Sequence, residues 1–153
     1  MGSILIGNGD DIARARRIRK LFGGAMRQSG IIAAAAIYAL EHNVAGLQDD
    51  HANAGQLATG LASIEGIRID VERVKSNLVF FEIEAGLGLA IQLAGALKEQ
   101  GVLVGPMGGQ RMRAVTHLDV TTADVAKTIE VIRQCIGQGF ADRPLVGSGP
   151  YSK

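Results

Sequence analysis

Residues 16–36, RRIRKLFGGAMRQSGIIAAAA, constrain the fold of this chain more than any other stretch. A basic helix end is followed there by a glycine pair and then by a run of small apolar residues. Gly23 and Gly24 predict the end of one helix and a tight turn, because glycine accepts φ > 0 and close approach of another group. The alanine-rich pattern at residues 28–43 is apolar on nearly every side, which is typical of a buried helix.

Arg27 lies between the glycine pair and this apolar run. If residues 28 and 29 open the next helix, its guanidinium lies close to free N–H groups and to the positive end of the helix dipole. Such a position favours phosphate or carboxylate. The alternative is a solvated loop arginine beside a helix C-cap, and the spacing alone favours that alternative.

A second arginine falls within a strand pattern, MRAVT at residues 112–116. Alternation puts Arg113 and Val115 on one face and the three other residues on the opposite face. An arginine on an apolar sheet must reach solvent or meet an anion. The residues themselves leave three alternatives open: a ligand carboxylate, an edge-strand position and a structural ion pair, the last two being favoured.

The order of helical and strand-type spacing predicts an α/β fold with a sheet covered by helices. Apolar spacing at residues 47–66 predicts a second amphipathic helix, with His51 on its apolar stripe as a core or interface histidine. Thr121 and Asp124 form the sequence pattern of a capping box. The predicted strands are residues 3–6, 67–69, 78–83, 102–104 and 112–116, and further helices are expected at residues 87–100 and 122–138.

Composition excludes several classes of function. A net charge of +1 with 20% charged residues gives no field for a polyanion, so no nucleic-acid partner is expected. No run of 18 apolar residues and no targeting segment is visible, so no membrane partner is expected. A single cysteine, Cys135, favours a cytoplasmic location. No metal site is predicted.

Residues 15–62, which begin ARRIRKLFGGAMRQSG, resemble the pyridoxal-phosphate-dependent L-threonine aldolases of the β-eliminating lyase family. GSILIG at residues 2–7 and RAVTHLDVTTADV at residues 113–125 agree with that family in order. The resemblance extends to about residue 139. It implies the C-terminal small α/β domain of a fold type I enzyme, joined to the last strand and connecting helices of the large domain.

This resemblance implies a division into four parts. Residues 1–27 would be the remnant of the large cofactor-binding domain, residues 28–66 a connecting helix pair, residues 67–138 the small α/β domain and residues 139–153 a mobile tail.

The resemblance also implies a chemistry and three site residues. The family cleaves a β-hydroxy amino acid, L-threonine, to glycine and acetaldehyde with pyridoxal 5'-phosphate, and a homo-oligomer is expected. Lys20 and Arg27 match cofactor-site positions that a neighbouring subunit can contribute, and Arg113 matches the arginine that clamps the substrate carboxylate. Ala25 stands where the family often has a third glycine, which puts the turn geometry in doubt.

In the family, the Schiff-base lysine lies shortly before the strand matching residues 2–7. We therefore expect no catalytic residue in this chain, no stable pyridoxal phosphate binding by the chain alone, and no activity in isolation. The alternative is a non-catalytic α/β interaction or regulatory domain derived from such an enzyme.

Overall fold

A computed structural model describes residues 4–143. The chain forms two compact units, Met1–Ala45 and Gly46–Lys153. The boundary between them falls inside the predicted connecting pair at residues 28–66. The predicted division into four parts stays a prediction.

The first unit contains two helices, α1 (Gly9–Leu21) and α2 (Gly30–His42). Asn8 caps α1, since its side-chain oxygen accepts a hydrogen bond from the Asp11 N–H at 2.9 Å. Acidic residues occupy the first turn of α1 and basic residues the last, which is the order that the helix dipole favours. Local capping and charge order thus explain where α1 forms.

The glycine pair ends α1 as predicted. Gly23 has φ +76° and its N–H donates to the Lys20 carbonyl at 3.2 Å, while the Gly24 N–H donates to the Arg19 carbonyl at 2.8 Å. These two backbone hydrogen bonds form a Schellman motif. Every described residue with positive φ is a glycine, so Ala25 occupies its turn without that strain.

The predicted strand at residues 3–6 does not form in its described part. Ile4, Leu5 and Ile6 have no regular secondary structure and are exposed, and Ser3 lies outside the described residues. A strand needs a neighbour for its backbone hydrogen bonds, and the four strands described between residues 4 and 143 all lie at residues 67–115. Residues 4–6 therefore have no strand partner among the described residues.

Helix α2 forms, but the prediction that it is buried is wrong. None of its residues is buried, and Ile31 is 81% exposed. Apolar residues all round a helix demand contacts on several sides. A unit with two helices supplies too few of them.

The second unit is a mixed α/β domain, which confirms the predicted fold class. Its sheet has the order β1-β2-β4-β3, and every neighbouring pair is antiparallel. The strands are β1 (Ile67–Arg68), β2 (Leu78–Ile83), β3 (Gly105–Pro106) and β4 (Arg111–Val115), and the α-helices are α3 (Leu47–Ala62), α4 (Ala90–Glu99) and α5 (Thr122–Gln138), with short 3-10 turns at Val71–Arg73 and Ala85–Leu87.

One strand was placed wrongly by the sequence pattern. Residues 102–104 form no strand, and the pairing segment is β3, directly after them. Val102 and Val104 are buried while Leu103 is exposed. The alternation there reflects burial of two side chains in the core without a strand partner.

Helices cover one face of the sheet, and the core lies between them. Phe81 of β2 and Met112 of β4 point into this core, together with Leu57 and Leu61 of α3. His51 lies outside the buried stripe of α3 and is exposed, so the core alternative is wrong, while the interface alternative stays a prediction.

The predicted mobile tail is packed in its first part. Phe140 is 2% exposed within the core cluster. The Gln92 side-chain nitrogen donates to the backbone carbonyls of Ala141 and Arg143. Residues 139–143 are thus held against α4, while residues 144–153 lie outside the described residues.

Candidate functional site

The uncovered face of the sheet carries Arg113 and Val115, and the strand alternation predicted that these two residues share a face. Strand β4 alternates between exposed and buried residues, with Arg111, Arg113 and Val115 exposed. Strand β2 exposes Leu78, Phe80 and Glu82 on the same face. The register sets three pairs across this face: Leu78 opposite Val115, Phe80 opposite Arg113, and Glu82 opposite Arg111.

The two exposed arginines of β4 differ in their electrostatics. Arg111 Nε lies 3.6 Å from Glu82 Oε1, so a carboxylate offsets its charge. Within residues 4–143, the Arg113 side chain has neither a hydrogen bond nor an ion pair. An unpaired guanidinium that is accessible from solvent keeps its planar donor fork available to a carboxylate.

Arg113 has an apolar side chain opposite it on one neighbouring strand and no side chain opposite it on the other. Phe80 of β2 lies directly opposite it, and Gly105 of β3 is its partner on the other side. Directly opposite residues of an antiparallel pair have Cβ atoms about 4.5–5.5 Å apart. Arg113 therefore stands between an aromatic side chain and a position that has no side chain.

Lys20 and Arg27 belong to the first unit. Lys20 lies in the last turn of α1, and Arg27 lies in the turn directly before α2. Both are exposed, and neither has an ion pair or side-chain hydrogen bond with the residues that the structure describes. The structure thus puts them on either side of the Gly23–Gly24 turn.

The start of α2 is open to an anion. Its N-cap, Ser29, makes no side-chain capping bond, and the first turn contains no acidic residue. The first N–H groups of the helix are therefore left without a side-chain acceptor. The helix begins at Gly30, two residues later than predicted, and still places Arg27 just before an N-terminus.

The residues present suit the binding of a phosphate group and of a carboxylate. Arg27, just before the free N–H groups at the start of α2, is a donor that phosphate prefers, and Lys20 adds an unpaired positive charge in the same unit. Arg113 supplies the bidentate fork that a carboxylate prefers. In this respect the chain could hold the phosphate of pyridoxal phosphate and the carboxylate of an amino acid.

Other reactive side chains are held in structural roles. Burial raises the pKa of the Cys135 thiol, which keeps it protonated and a poor nucleophile. The Asp119 N–H donates a hydrogen bond to His117 Nδ1 in a local turn, with 3.3 Å between the two nitrogen atoms. Among residues 4–143, no group of three His, Cys, Asp or Glu side chains could hold a metal ion.

No single helix in the described part of the chain is long and apolar enough to cross a membrane. Helices α2 and α3 reach the required length and hydropathy only when they are counted together.

The neighbours of Arg113 were not predicted from the sequence. A strand was predicted at residues 78–83, but neither its register against Arg113 nor the bare face of the sheet was predicted. Strand alternation shows which residues of one strand share a face. It carries no signal for the register between strands more than 25 residues apart in sequence.

The chain is similar in sequence and in fold to known proteins. The family model described as "Beta-eliminating lyase" matches residues 1–85. The chain is 45% identical over 127 residues to the low specificity L-threonine aldolase of Escherichia coli K12, covering 83% of this chain and 36% of that protein. It is 39% identical over 137 residues to low-specificity L-threonine aldolase 1 of Arabidopsis thaliana, covering 89% and 38% respectively.

The chain thus spans little more than a third of the length of these relatives. Among solved structures, it is similar in fold to MppP soaked with the product 2-ketoarginine, with a TM-score of 0.51 and 18% identity. That likeness covers 64% of this chain and 30% of the MppP chain.

Proposed function

Because the chain belongs to the β-eliminating lyase family, we propose that it is the C-terminal part of a pyridoxal-phosphate-dependent lyase of the L-threonine aldolase type. The complete enzyme would split L-threonine or a related β-hydroxy amino acid into glycine and an aldehyde. One observation carries the proposal. Among residues 4–143, Arg113 on the bare face of the sheet has no ion-pair partner, while Glu82 offsets the charge of the neighbouring Arg111.

The role of Arg113 in this proposal is to bind and orient the substrate. Two parallel N–H···O bonds from its guanidinium to the α-carboxylate fix the rotation of the amino acid about Cα. Fixing that rotation selects the Cα–Cβ bond for cleavage over the other bonds at Cα. Pyridoxal phosphate, when bound, supplies the electron sink for this cleavage.

Lys20 and Arg27 would hold the phosphate of the cofactor. Their charges and the free N–H groups at the start of α2 favour an anion there. In the family resemblance these positions can serve the site of a neighbouring subunit, so we propose a homo-oligomer. The exposed apolar residues of α2 support that part of the proposal.

For the 153-residue chain tested alone, we propose no aldolase activity and no stable cofactor binding. The resemblance matches its residues to contacts with phosphate and substrate, and matches none of them to the Schiff-base lysine. A cytoplasmic location is part of the same proposal and rests on the single cysteine.

A non-catalytic interaction or regulatory domain is the second candidate. The observation that favours it is α2, whose apolar side chains are exposed along the whole helix. A regulatory domain would use this surface and would have no need of an unpaired Arg113.

A chimera tests the proposal. In it, this chain would replace the matching 127-residue segment of the Escherichia coli low specificity aldolase. We expect the chimera to form acetaldehyde from L-threonine when pyridoxal phosphate is present. The chain alone, in the same assay, should give no acetaldehyde above the background of the free cofactor.

Controls separate failed folding from failed chemistry. Circular dichroism and cofactor absorbance establish that the chimera is folded and loaded, and the Arg113→Ala chimera provides the matched inactive variant. A folded, loaded chimera without activity would contradict the proposal and favour the regulatory domain. Turnover by the chain alone would contradict the proposed division of the active site.

A further inference from the structure

We propose that Arg113 binds a carboxylate in a slot that has Phe80, a positioning residue, as its wall on one side and the Gly105 position, which has no side chain, as its opening on the other side. This inference deepens the proposed function and rests on it, since it takes an amino-acid carboxylate as the ligand. It assigns roles to two residues that are neither charged nor reactive.

The position of Phe80 as the wall of the slot follows from the register of β2 and β4. Phe80 and Arg113 are directly opposite and share the exposed face of the sheet. Phe80 is 46% exposed on this face, and directly opposite residues of an antiparallel pair have Cβ atoms about 4.5–5.5 Å apart. A rigid aromatic side chain at that distance removes some of the rotamers open to a long arginine. It also lowers the local water content, which strengthens a guanidinium–carboxylate bond.

The other side of the slot is open. Gly105 is the partner of Arg113 on β3, and glycine presents no side chain to the exposed face. This glycine is not needed for backbone strain or close packing. Gly105 is absent from the residues with positive φ, and the nearest atom to a Cβ built on it is the Arg113 carbonyl oxygen at 3.5 Å. The backbone would therefore accept alanine there in ordinary van der Waals contact.

The neighbouring rows of the sheet make the slot directional. Toward one end of the strands, Leu78 and Val115 form an apolar pair. Toward the other end, Glu82 pairs with Arg111, so this row carries no net positive charge. A carboxylate is therefore drawn to Arg113, for which no acidic side chain among residues 4–143 competes.

Chemical modification of the 153-residue chain tests the slot without any cofactor. Phenylglyoxal labels accessible arginines, and tandem mass spectrometry separates the adduct at Arg113 from that at Arg111. We expect L-threonine to slow labelling of Arg113 in a concentration-dependent way and to leave Arg111 unchanged. L-Threonine methyl ester, which lacks the carboxylate charge, should give no such protection.

Variants at Phe80 and at Gly105 should weaken this protection. Phe80→Ala should raise the L-threonine concentration for half-protection about threefold or more. This is the scale of the free energy needed to order a long side chain such as that of Arg113 on binding. Phe80→Leu should restore part of the effect, and Leu78→Ala, on the same strand and face, should have none. Gly105→Val should abolish protection, while Gly105→Ala should give a smaller loss.

The outcomes distinguish the slot from the proposed function. If L-threonine protects Arg113 equally in the wild type, Phe80→Ala and Gly105→Val, the slot is wrong while Arg113 remains a carboxylate ligand. If the wild-type chain shows no protection of Arg113, the slot is also wrong, and acetaldehyde formation by the chimera decides the proposed function separately. Equal loss in Leu78→Ala and Phe80→Ala would reduce Phe80 to a structural residue and overturn its positioning role.

Discussion

Arg111 forms an ion pair with Glu82 across β2 and β4, with 3.6 Å between Arg111 Nε and Glu82 Oε1. Arg113, two residues later on the same face, has no such partner in the part of the chain that the structure describes. The two arginines look alike in the sequence. The register of the sheet separates them into one with an internal counter-charge and one available to a ligand.

Replacing Arg113 in the chimeric enzyme should damage substrate use and spare the cofactor. We expect Arg113→Ala to lower kcat/KM about a hundredfold or more, the scale of losing a charge-assisted bidentate contact of about 3 kcal/mol. Arg113→Lys should recover only part, because lysine keeps the charge and loses the fork. Steady-state kinetics and cofactor absorbance measure both effects.

Arg111→Ala is the matched control for that experiment. Its ion pair is more than half exposed, and such pairs contribute less than about 1 kcal/mol. We therefore expect kcat/KM to change less than about fivefold. Equal losses for Arg111→Ala and Arg113→Ala would contradict the distinction between the two arginines.

Replacing Arg27 should have the opposite signature. Arg27→Ala in the chimera should weaken retention of pyridoxal phosphate, and activity should partly recover at high cofactor concentration, because the lost term is binding free energy. Cofactor titration by absorbance measures this. Arg14→Ala, on α1 before its last turn, serves as a control and should behave as the wild type. Loss of substrate affinity alone would assign Arg27 a different role.

The chain alone should self-associate through α2. Ile31 and Ile37 are 81% and 54% exposed, and apolar surface of this kind favours association. We expect light scattering to give a mass above the 16.0 kDa of one chain. Ile37→Glu should shift the population toward the monomer, while Glu41→Gln on the same helix should not. A wild-type chain that stays monomeric at micromolar concentration would contradict this prediction.

The packing of α3 against α5 predicts opposite effects for two glycines of α3. A Cβ at Gly60 would lie 2.3 Å from Ile129 Cδ1 and 2.7 Å from Ile129 Cγ1, whereas a Cβ at Gly55 would meet nothing within 4 Å. Gly60→Ala should therefore lower the free energy of unfolding by about 1–3 kcal/mol, the usual cost of overpacking.

Gly55→Ala is the control on the same helix. It should raise the free energy of unfolding by up to about 1 kcal/mol, because alanine has the higher helix propensity. Urea unfolding followed by circular dichroism measures both variants. Stabilisation by Gly60→Ala would mean that α3 and α5 are not in close contact at this position.

The capping box of α5 predicts a stability loss confined to acidic pH. The Thr121 hydroxyl donates to the Asp124 carboxylate at 2.6 Å, and the Thr121 N–H donates to it at 2.9 Å. These hydrogen bonds, the hydroxyl first, hold the pKa of Asp124 below its ordinary value. Ionised Asp124 therefore stabilises the fold above the unfolded pKa of about 3.9, and this contribution is lost as pH falls through the lower folded pKa.

Thr121→Ala tests the cause of that shift. Removal of the hydroxyl should return the pKa of Asp124 toward its ordinary value, as followed by NMR titration of the carboxylate. At neutral pH the variant should lose about 1 kcal/mol of unfolding free energy through the missing cap. An unchanged Asp124 pKa in Thr121→Ala would contradict the assigned cause.

Local signals in the sequence account for many of the elements. The Thr121–Asp124 pattern placed the start of α5, and Gly23 with Gly24 placed the end of α1, because caps depend on a few consecutive residues. Strand alternation placed Arg113 and Val115 on one face for the same reason. Residues 102–104 and 3–6 show the limit, since apolar residues in a short run look like a strand whether or not a neighbour pairs with them.

By itself, the sequence determined the fold class, most helix ends, the face on which Arg113 lies and the position of Arg27 before a helix N-terminus. Each of these depends on interactions within a few residues. Only the tertiary structure decided that helices leave one face of the sheet bare, that Glu82 offsets Arg111, and that Phe80 and Gly105 flank Arg113. These relations join strands that are far apart in the chain, and a register shift of one residue would exchange every side chain between the core and the open face.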